Sequence, residues 1–189
     1  MKIKNIFSIT IVLSAIVVAF NSNAFAQASY YKGYVILVSG DTLKGEIKMN
    51  PKREFDNFTK ASYRKSEGSE IKTFNPKKIK EYYVNGVIYV SRNVEGEQVF
   101  MKQLSGGLVN LFEAQIEVYQ MNELKIKSDY YMEKVGETGP VKIKSGKFRK
   151  QVEEVMSDNL EIVKGLQDKT YDYDNIVEVF NSYNKSAKN

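Results

Sequence analysis

Turn signals at close intervals constrain this chain more than any other feature. Gly40-Asp41, Glu67-Gly68-Ser69, Asn85-Gly86, Ser105-Gly106-Gly107 and the stretch from Gly136 to Pro140 punctuate residues 31–144. The segments between them are short and rich in β-branched and aromatic residues. "GYVILVS" and "TLKGEIKM" flank Gly40-Asp41, and Leu43, Ile47 and Met49 give the second run its alternation. Glycine first in a two-residue loop suits a type II′ turn, whose twist matches paired strands. "KEYYVNGVIYVS" carries Asn85-Gly86, the residue pair for a type I′ turn. Asn75-Pro76 begins a single helical turn before Ile79. Short strands joined by regular turns predict an antiparallel β-meander over residues 27–144, as a sandwich or a partly open barrel.

At Ser145 the period changes. Phe148, Val152, Val155 and Met156 fall on one helical face. Asp158 and Glu161 have capping-box spacing and start a second helix carrying Leu160, Val163 and Leu166. Asp172 or Asp174 caps a third, with Ile176, Val179, Phe180 and Tyr183 on one side. Residues 184–189, "NKSAKN", read as a frayed tail. Helices this short need tertiary packing to persist. Residues 145–189 are therefore expected to pack as two to three short helices on the sheet, within the same domain. The fold class is α+β.

The first 26 residues read as a cleaved signal peptide. Lys2 and Lys4 are basic, Ile6 to Phe20 is apolar apart from Ser8, Thr10 and Ser14, and Ala24 and Ala26 form an A-x-A cleavage site. The apolar run is shorter than the roughly 20 residues of a spanning helix. The mature chain is expected to be soluble, in the periplasm or outside the cell. The full sequence carries a net charge of +5, which includes two lysines of the leader and no acid from it, so the mature balance is milder still. That does not point to nucleic acid, which needs a concentrated basic surface. Short strands with scattered lysines, followed by helices, also argue against an outer-membrane barrel.

The chain has no cysteine and no histidine. It can form no disulfide and carries no lipid on an N-terminal cysteine, so the core alone must supply stability. Ser-His-Asp and Cys-His catalysis, thiolate chemistry and ordinary zinc sites are excluded. Carboxylate pairs, Ser-Lys pairs, tyrosine chemistry and all-oxygen calcium sites remain.

Six constellations bear on possible chemistry. Gly40-Asp41-Thr42 has the wrong order for the Asp-Thr-Gly of aspartic proteases, which also need a second carboxylate, and reads as a turn. Asp41-Thr42-Leu43 resembles an acceptor motif for protein O-glycosylation in some Gram-negative bacteria, which makes Thr42 a modification candidate. The pairs Tyr30-Tyr31, Tyr82-Tyr83 and Tyr130-Tyr131 place one ring of each outward if they lie in strands. Tyr31, Tyr83 and Tyr131 are then a candidate contact surface, the alternative being that they cover the apolar faces of the helices. Lys142, Lys144, Lys147, Arg149 and Lys150 form a basic patch for anionic headgroups or an acidic partner, or a solvated strand end and helix face. Asp168, Asp172 and Asp174 lack the spacing and glycine of a calcium loop. Glu153, Glu154 and Glu161 fall on exposed helical positions and supply no carboxylate pair. No catalytic, cofactor-binding or metal-ligating residue is assigned.

The order of "GYVILVSGDTLKGEI", "NPKKIKEYYVNGVIY", "KFRKQVEEVMSDNLEIVKGL" and a closing "VFNSYN" resembles a group of small exported proteins of uncharacterised function from Gram-negative bacteria. The resemblance implies an N-terminal Gly-Asp-Thr β-hairpin, a β region and a helical C-terminus. It carries over no activity and no catalytic residue. The expectation is a non-enzymatic binding or accessory protein of the cell envelope, without cofactor. An envelope protein or an anionic surface would be its partner. The alternative is a carrier or sensor of a small apolar or glycan ligand held in the β unit.

Overall fold

The computed structural model describes residues 29–49, 53–137 and 139–186; the leader read at residues 1–26 lies outside them. Among the described residues, ten strands form one open antiparallel sheet. They are β1 (Ser29–Leu37), β2 (Thr42–Met49), β3 (Ala61–Arg64), β4 (Lys72–Phe74), β5 (Ile79–Val84), β6 (Val87–Val94), β7 (Glu97–Ser105), β8 (Val109–Gln120), β9 (Glu123–Lys134) and β10 (Val141–Ile143). A short helix, α1 (Phe55–Thr59), interrupts the β region. A 3-10 turn at Ser145–Lys147 leads into α2 (Phe148–Val155), α3 (Leu160–Gln167) and α4 (Ile176–Ser186). The α+β class read from the sequence is the observed one.

Strand order is β10-β9-β8-β7-β6-β5-β1-β2-β3-β4, so two meanders meet where β1 lies beside β5. In a flat sheet β4 and β5 would stand four spacings apart, roughly 19 Å. Only Asn75–Lys78 links them, and this link is a turn closed by the Lys78 N–H on the Asn75 carbonyl. The β1–β4 half must therefore curl back toward β5, which makes it barrel-like without closing it.

The turns show which local signals were sufficient. Asn85 and Gly86 both take positive φ, 49° and 84°, between the paired Val84 and Val87. That is the type I′ geometry expected of Asn-Gly. The β1–β2 connection differs from the expected two-residue turn. The Gly40 N–H donates to the Leu37 carbonyl, so Gly40, at φ 98°, is the fourth residue of a turn and not the first of a pair. Two further hairpins turn at Glu95-Gly96 (φ 52° and 91°) and Met121-Asn122 (φ 52° and 63°), outside the turns expected from the sequence. Asparagine visits the left-handed region readily, but methionine there is uncommon, so residue preference alone does not mark the second turn.

One face of the sheet carries two cores. Toward the C-terminal end, Val109, Leu111, Met132 and Ile143 meet Phe148, Val152 and Met156 of α2, Ile162 and Leu166 of α3, and Val179, Phe180 and Tyr183 of α4. In the curled half, Val35, Ile47, Val84 and Phe100 surround Phe58 of α1 and the ring pair Tyr82–Tyr89, stacked at 4.7 Å. On the opposite face Val90, Met101, Phe112, Ala114 and Tyr131 form a third cluster. Arg92 of β6 grips Glu133 of β9 through several hydrogen bonds of 2.9–3.0 Å and lies over the Phe112 ring. These strands would be about 14 Å apart in a flat sheet. The sheet is thus concave on this face between β6 and β9.

The helix caps differ in detail from their sequence reading. Asn159, not Asp158, caps α3, its Oδ1 accepting the N–H groups of Glu161 and Ile162. Asp158 instead accepts the Tyr183 hydroxyl at 3.0 Å. Before α4, Asp172 Oδ1 accepts the N–H groups of Asp174 and Asn175. The tail reading also needs correction. α4 continues to Ser186, and Asn184 is buried.

Burial raises the Tyr89 phenol well above its usual value and raises that of Tyr82 likewise. Above about pH 10 these phenols ionise in the unfolded chain but not in the fold. The fold then binds more protons than the unfolded chain, so its stability falls as pH rises through this window and is complete below it. In an alkaline titration, a late phenolate absorbance component is expected to coincide with loss of far-UV circular dichroism. Complete tyrosine ionisation in one step near pH 10, with the fold retained, would contradict this burial.

Candidate functional site: a basic groove at the helical end

The structure disperses the three candidate tyrosines. Tyr31 packs against the core of the curled half. Tyr83 lies on the other face and stacks on Tyr34, with ring centroids 5.4 Å apart. Tyr131 is buried, 7% exposed, in the concave cluster. Alternation within each pair holds, with Tyr82 inside and Tyr83 on the opposite face, but the three rings do not share one platform. Thr42 is exposed at the first position of β2.

The basic run is also divided, because a strand and a helix present it differently. Lys142, in β10, pairs across the ladder with Tyr131 and turns to the concave face, where its Nζ lies 2.5 Å from Asp129 Oδ2. The hydrogen bond that Lys142 donates to Asp129 raises the Lys142 pKa. Lys144 is exposed beyond the strand end, its backbone N–H donating to Gln151 Oε1. Lys147, Arg149 and Lys150 follow on the 3-10 turn and the first turn of α2, where they line a groove of about 500 Å³.

Across this groove stands the α3–α4 loop, which brings Lys169, Tyr171 and Tyr173. Several contacts fix that loop. Asp168 Oδ1 accepts the Thr170 N–H, Asn175 Nδ2 donates to the Thr170 carbonyl, and Asn175 Oδ1 accepts the Asp172 N–H. Hydrogen bonding from the Thr170 side chain, and then from its backbone N–H, lowers the Asp168 pKa. The Tyr171 ring covers Gly165, where any side chain would collide with it. Tyr173 is held edge-on by Tyr130 and Phe148, at 5.7 and 6.0 Å. Lys169, Tyr171 and Tyr173 were not anticipated as site residues. The acids of "DKTYDYDN" are its evident feature in sequence, and its partnership with the basic run depends on how α3 folds back against α2.

Four cations therefore border one groove. Among the described residues none of the four forms an ion pair. Asp172 and Asp174 also line it, but the Asp172 carboxylate is engaged by backbone N–H groups. Arg149 and Lys150 occupy the first turn of α2, which has no acidic side chain and no side-chain cap. Cations there oppose the helix dipole, and an anion would relieve both effects. Among the described residues no group of three or more carboxylates could hold a metal ion.

A second cavity, of about 420 Å³, lies on the concave face. Val94, Val99, Ala114, Ile116 and Tyr131 supply its apolar walls, and Glu95, Glu97, Asp129 and Lys142 its charges. Among the described residues no helix is long and apolar enough to cross a membrane. No family model matches the chain, and no curated protein or solved structure shows significant similarity to it.

Proposed function

We propose that this chain is an exported, non-enzymatic binding protein of the bacterial cell envelope that engages an anionic group through the groove at Lys147, Arg149, Lys150 and Lys169. The observation that carries this reading is four cations around one cavity with, among the described residues, no acidic side chain paired to any of them. Tyr171 and Tyr173, pinned at its wall, add flat rings with polar tips, which suit a ligand that is part apolar. The anion belongs to a lipid headgroup or to an acidic protein segment, and both would bind less tightly as salt rises.

Two probes separate the sources: vesicles containing phosphatidylglycerol, with phosphatidylcholine vesicles as control, and a synthetic poly-glutamate peptide. Each neutralised cation near a lipid surface removes about 1 kcal/mol. Replacing Lys147, Arg149 and Lys150 together by glutamine should therefore weaken binding about a hundredfold. These side chains are exposed, so the fold should be unchanged. Binding of neither probe, or binding indifferent to salt and to this triple substitution, would sink the reading.

A further inference from the structure

The ten-stranded sheet is not continuous across its middle. β7 and β8 pair only at Lys102–Glu113, Gln103–Phe112 and Ser105–Leu111, with an irregularity between Gln103 and Ser105. Before Lys102, β7 continues on β6 alone, down to the Val94–Glu97 pair. After Glu113, β8 continues on β9 alone, out to the Gln120–Glu123 pair. The strands part like a wedge. The edge of β8 from Ala114 to Gln120 is left open, and so is the facing edge of β7 from Glu97 to Met101.

The other margins of the sheet are guarded. Its outermost strands, β4 and β10, have three residues each. The open stretch of β9 carries exposed Lys125 and Lys127. Short strands and edge lysines are the usual defences against pairing with another chain. β8 has neither: Gln115 to Gln120 contains no lysine and no proline, and reads Ile116, Val118 alternating with Glu117, Tyr119. It offers roughly 20 Å of strand edge. Beyond Glu113 it belongs to a two-stranded ribbon, which is marginal in water until a third strand joins it. Tyr119, Met121 and Leu124 are exposed on that ribbon at 81%, 88% and 52%.

The chemistry of the wedge indicates its occupant. The 420 Å³ cavity sits at its base, with Val99, Ala114 and Ile116 along the two parted strands. Glu95 and Glu97 stand exposed at its rim, and among the described residues neither is in an ion pair. We propose that this wedge takes an extended peptide segment of another protein, which adds as a strand to the edge of β8. The segment would alternate apolar residues, to fill the cavity, and carry a lysine or arginine at one end, to meet Glu95 and Glu97. Main-chain hydrogen bonds would give affinity and the alternate pockets selectivity, as in other strand additions. This surface is separate from the basic groove, so either proposal can fail without the other.

The test pans phage-displayed random linear peptides against the mature chain and measures the enriched sequences as synthetic peptides by calorimetry. Expected are peptides with period-two apolar residues and a terminal basic residue. N-methylation of alternate peptide amides should weaken them at least about tenfold, because it removes ladder donors. Ile116→Glu should weaken them by a similar factor. Ile116 is 39% exposed, so circular dichroism and thermal unfolding should be unchanged by the substitution. Bound peptide should also slow amide hydrogen exchange over residues 114–120. No enrichment, peptides that tolerate both changes, or slowing confined to other strands would overturn the proposal. So would an apolar small molecule that fills the cavity without displacing the enriched peptide.

Discussion

Asn184→Leu is expected to lower the unfolding free energy by about 3 kcal/mol, measured by urea denaturation. Asn184 is 4% exposed near the end of α4. Its Oδ1 accepts the Val109 N–H at 3.1 Å, and its Nδ2 donates to the Val109 carbonyl at 2.8 Å and to Ser105 Oγ at 3.0 Å. β7 and β8 have not resumed pairing at Val109, because their register ends at Ser105–Leu111. One side chain thus does for Val109 what a neighbouring strand would do. Leucine has nearly the same size but leaves the Val109 groups and the Ser105 hydroxyl without that partner. Each orphaned buried group costs about 1–3 kcal/mol, and partial relaxation keeps the sum near the stated value. For a chain of this length the midpoint should fall by roughly 6–12 °C. Asn181→Leu, one turn earlier and exposed, is the control and should change stability by less than about 0.5 kcal/mol. A loss under about 1 kcal/mol for Asn184→Leu would mean that α4 is not pinned through this residue.

That asparagine also shows where sequence reading stops. "NKSAKN" is polar and terminal, and polarity there suggests a tail. Nothing local reveals that Asn184 reaches a backbone 75 positions earlier. The helical faces were legible because their period is local: Phe148, Val152 and Met156 are buried at the spacing that predicts them. Asn85-Gly86 was legible because two residues suffice to define its turn. The basic groove was half legible. Lys147 and Arg149 are neighbours in sequence, but Lys169, Tyr171 and Tyr173 join them only through the fold of α3 against α2. Lys142 was grouped with them by proximity in the chain, and strand alternation sends it instead to Asp129 on the concave face. The parting of β7 from β8 left no mark in either strand, since both run on with ordinary β composition. It is a property of register, and register between strands is set by tertiary packing.

Gly33→Ala is expected to cost about 3 kcal/mol, for a reason unrelated to glycine's flexibility. Gly33 does not take positive φ. It sits in the middle of β1, opposite Gly45 of β2 on one side and Val84 of β5 on the other. A methyl group at 33 would fall inside the contact radius of the Tyr83 carbonyl oxygen and 3.1 Å from Ile47 Cγ1. At Gly45 it would meet the Arg64 carbonyl and the Tyr63 ring at 2.6 Å. Backbone atoms cannot swing aside as a side-chain end can. Alanine at 33 would therefore have to part β1 from β5, at the junction where the two meanders join. The facing glycines let this half of the sheet crease until four residues suffice to return the chain from β4 to β5. Gly146→Ala is the control: nothing lies within 4 Å of its Cβ position, and its φ is not positive. It should move stability by less than about 0.5 kcal/mol. The crease lies in the core of Val35 and Ile47, whereas the basic groove rests on the core of Phe148 and Leu166. Gly33→Ala should accordingly shift the urea midpoint and the near-ultraviolet signal of the Tyr82–Tyr89 stack while its folded fraction keeps the wild-type affinity for anionic vesicles. Equal loss of stability and of intrinsic affinity would show that the two halves are not independent, and that the groove depends on the crease.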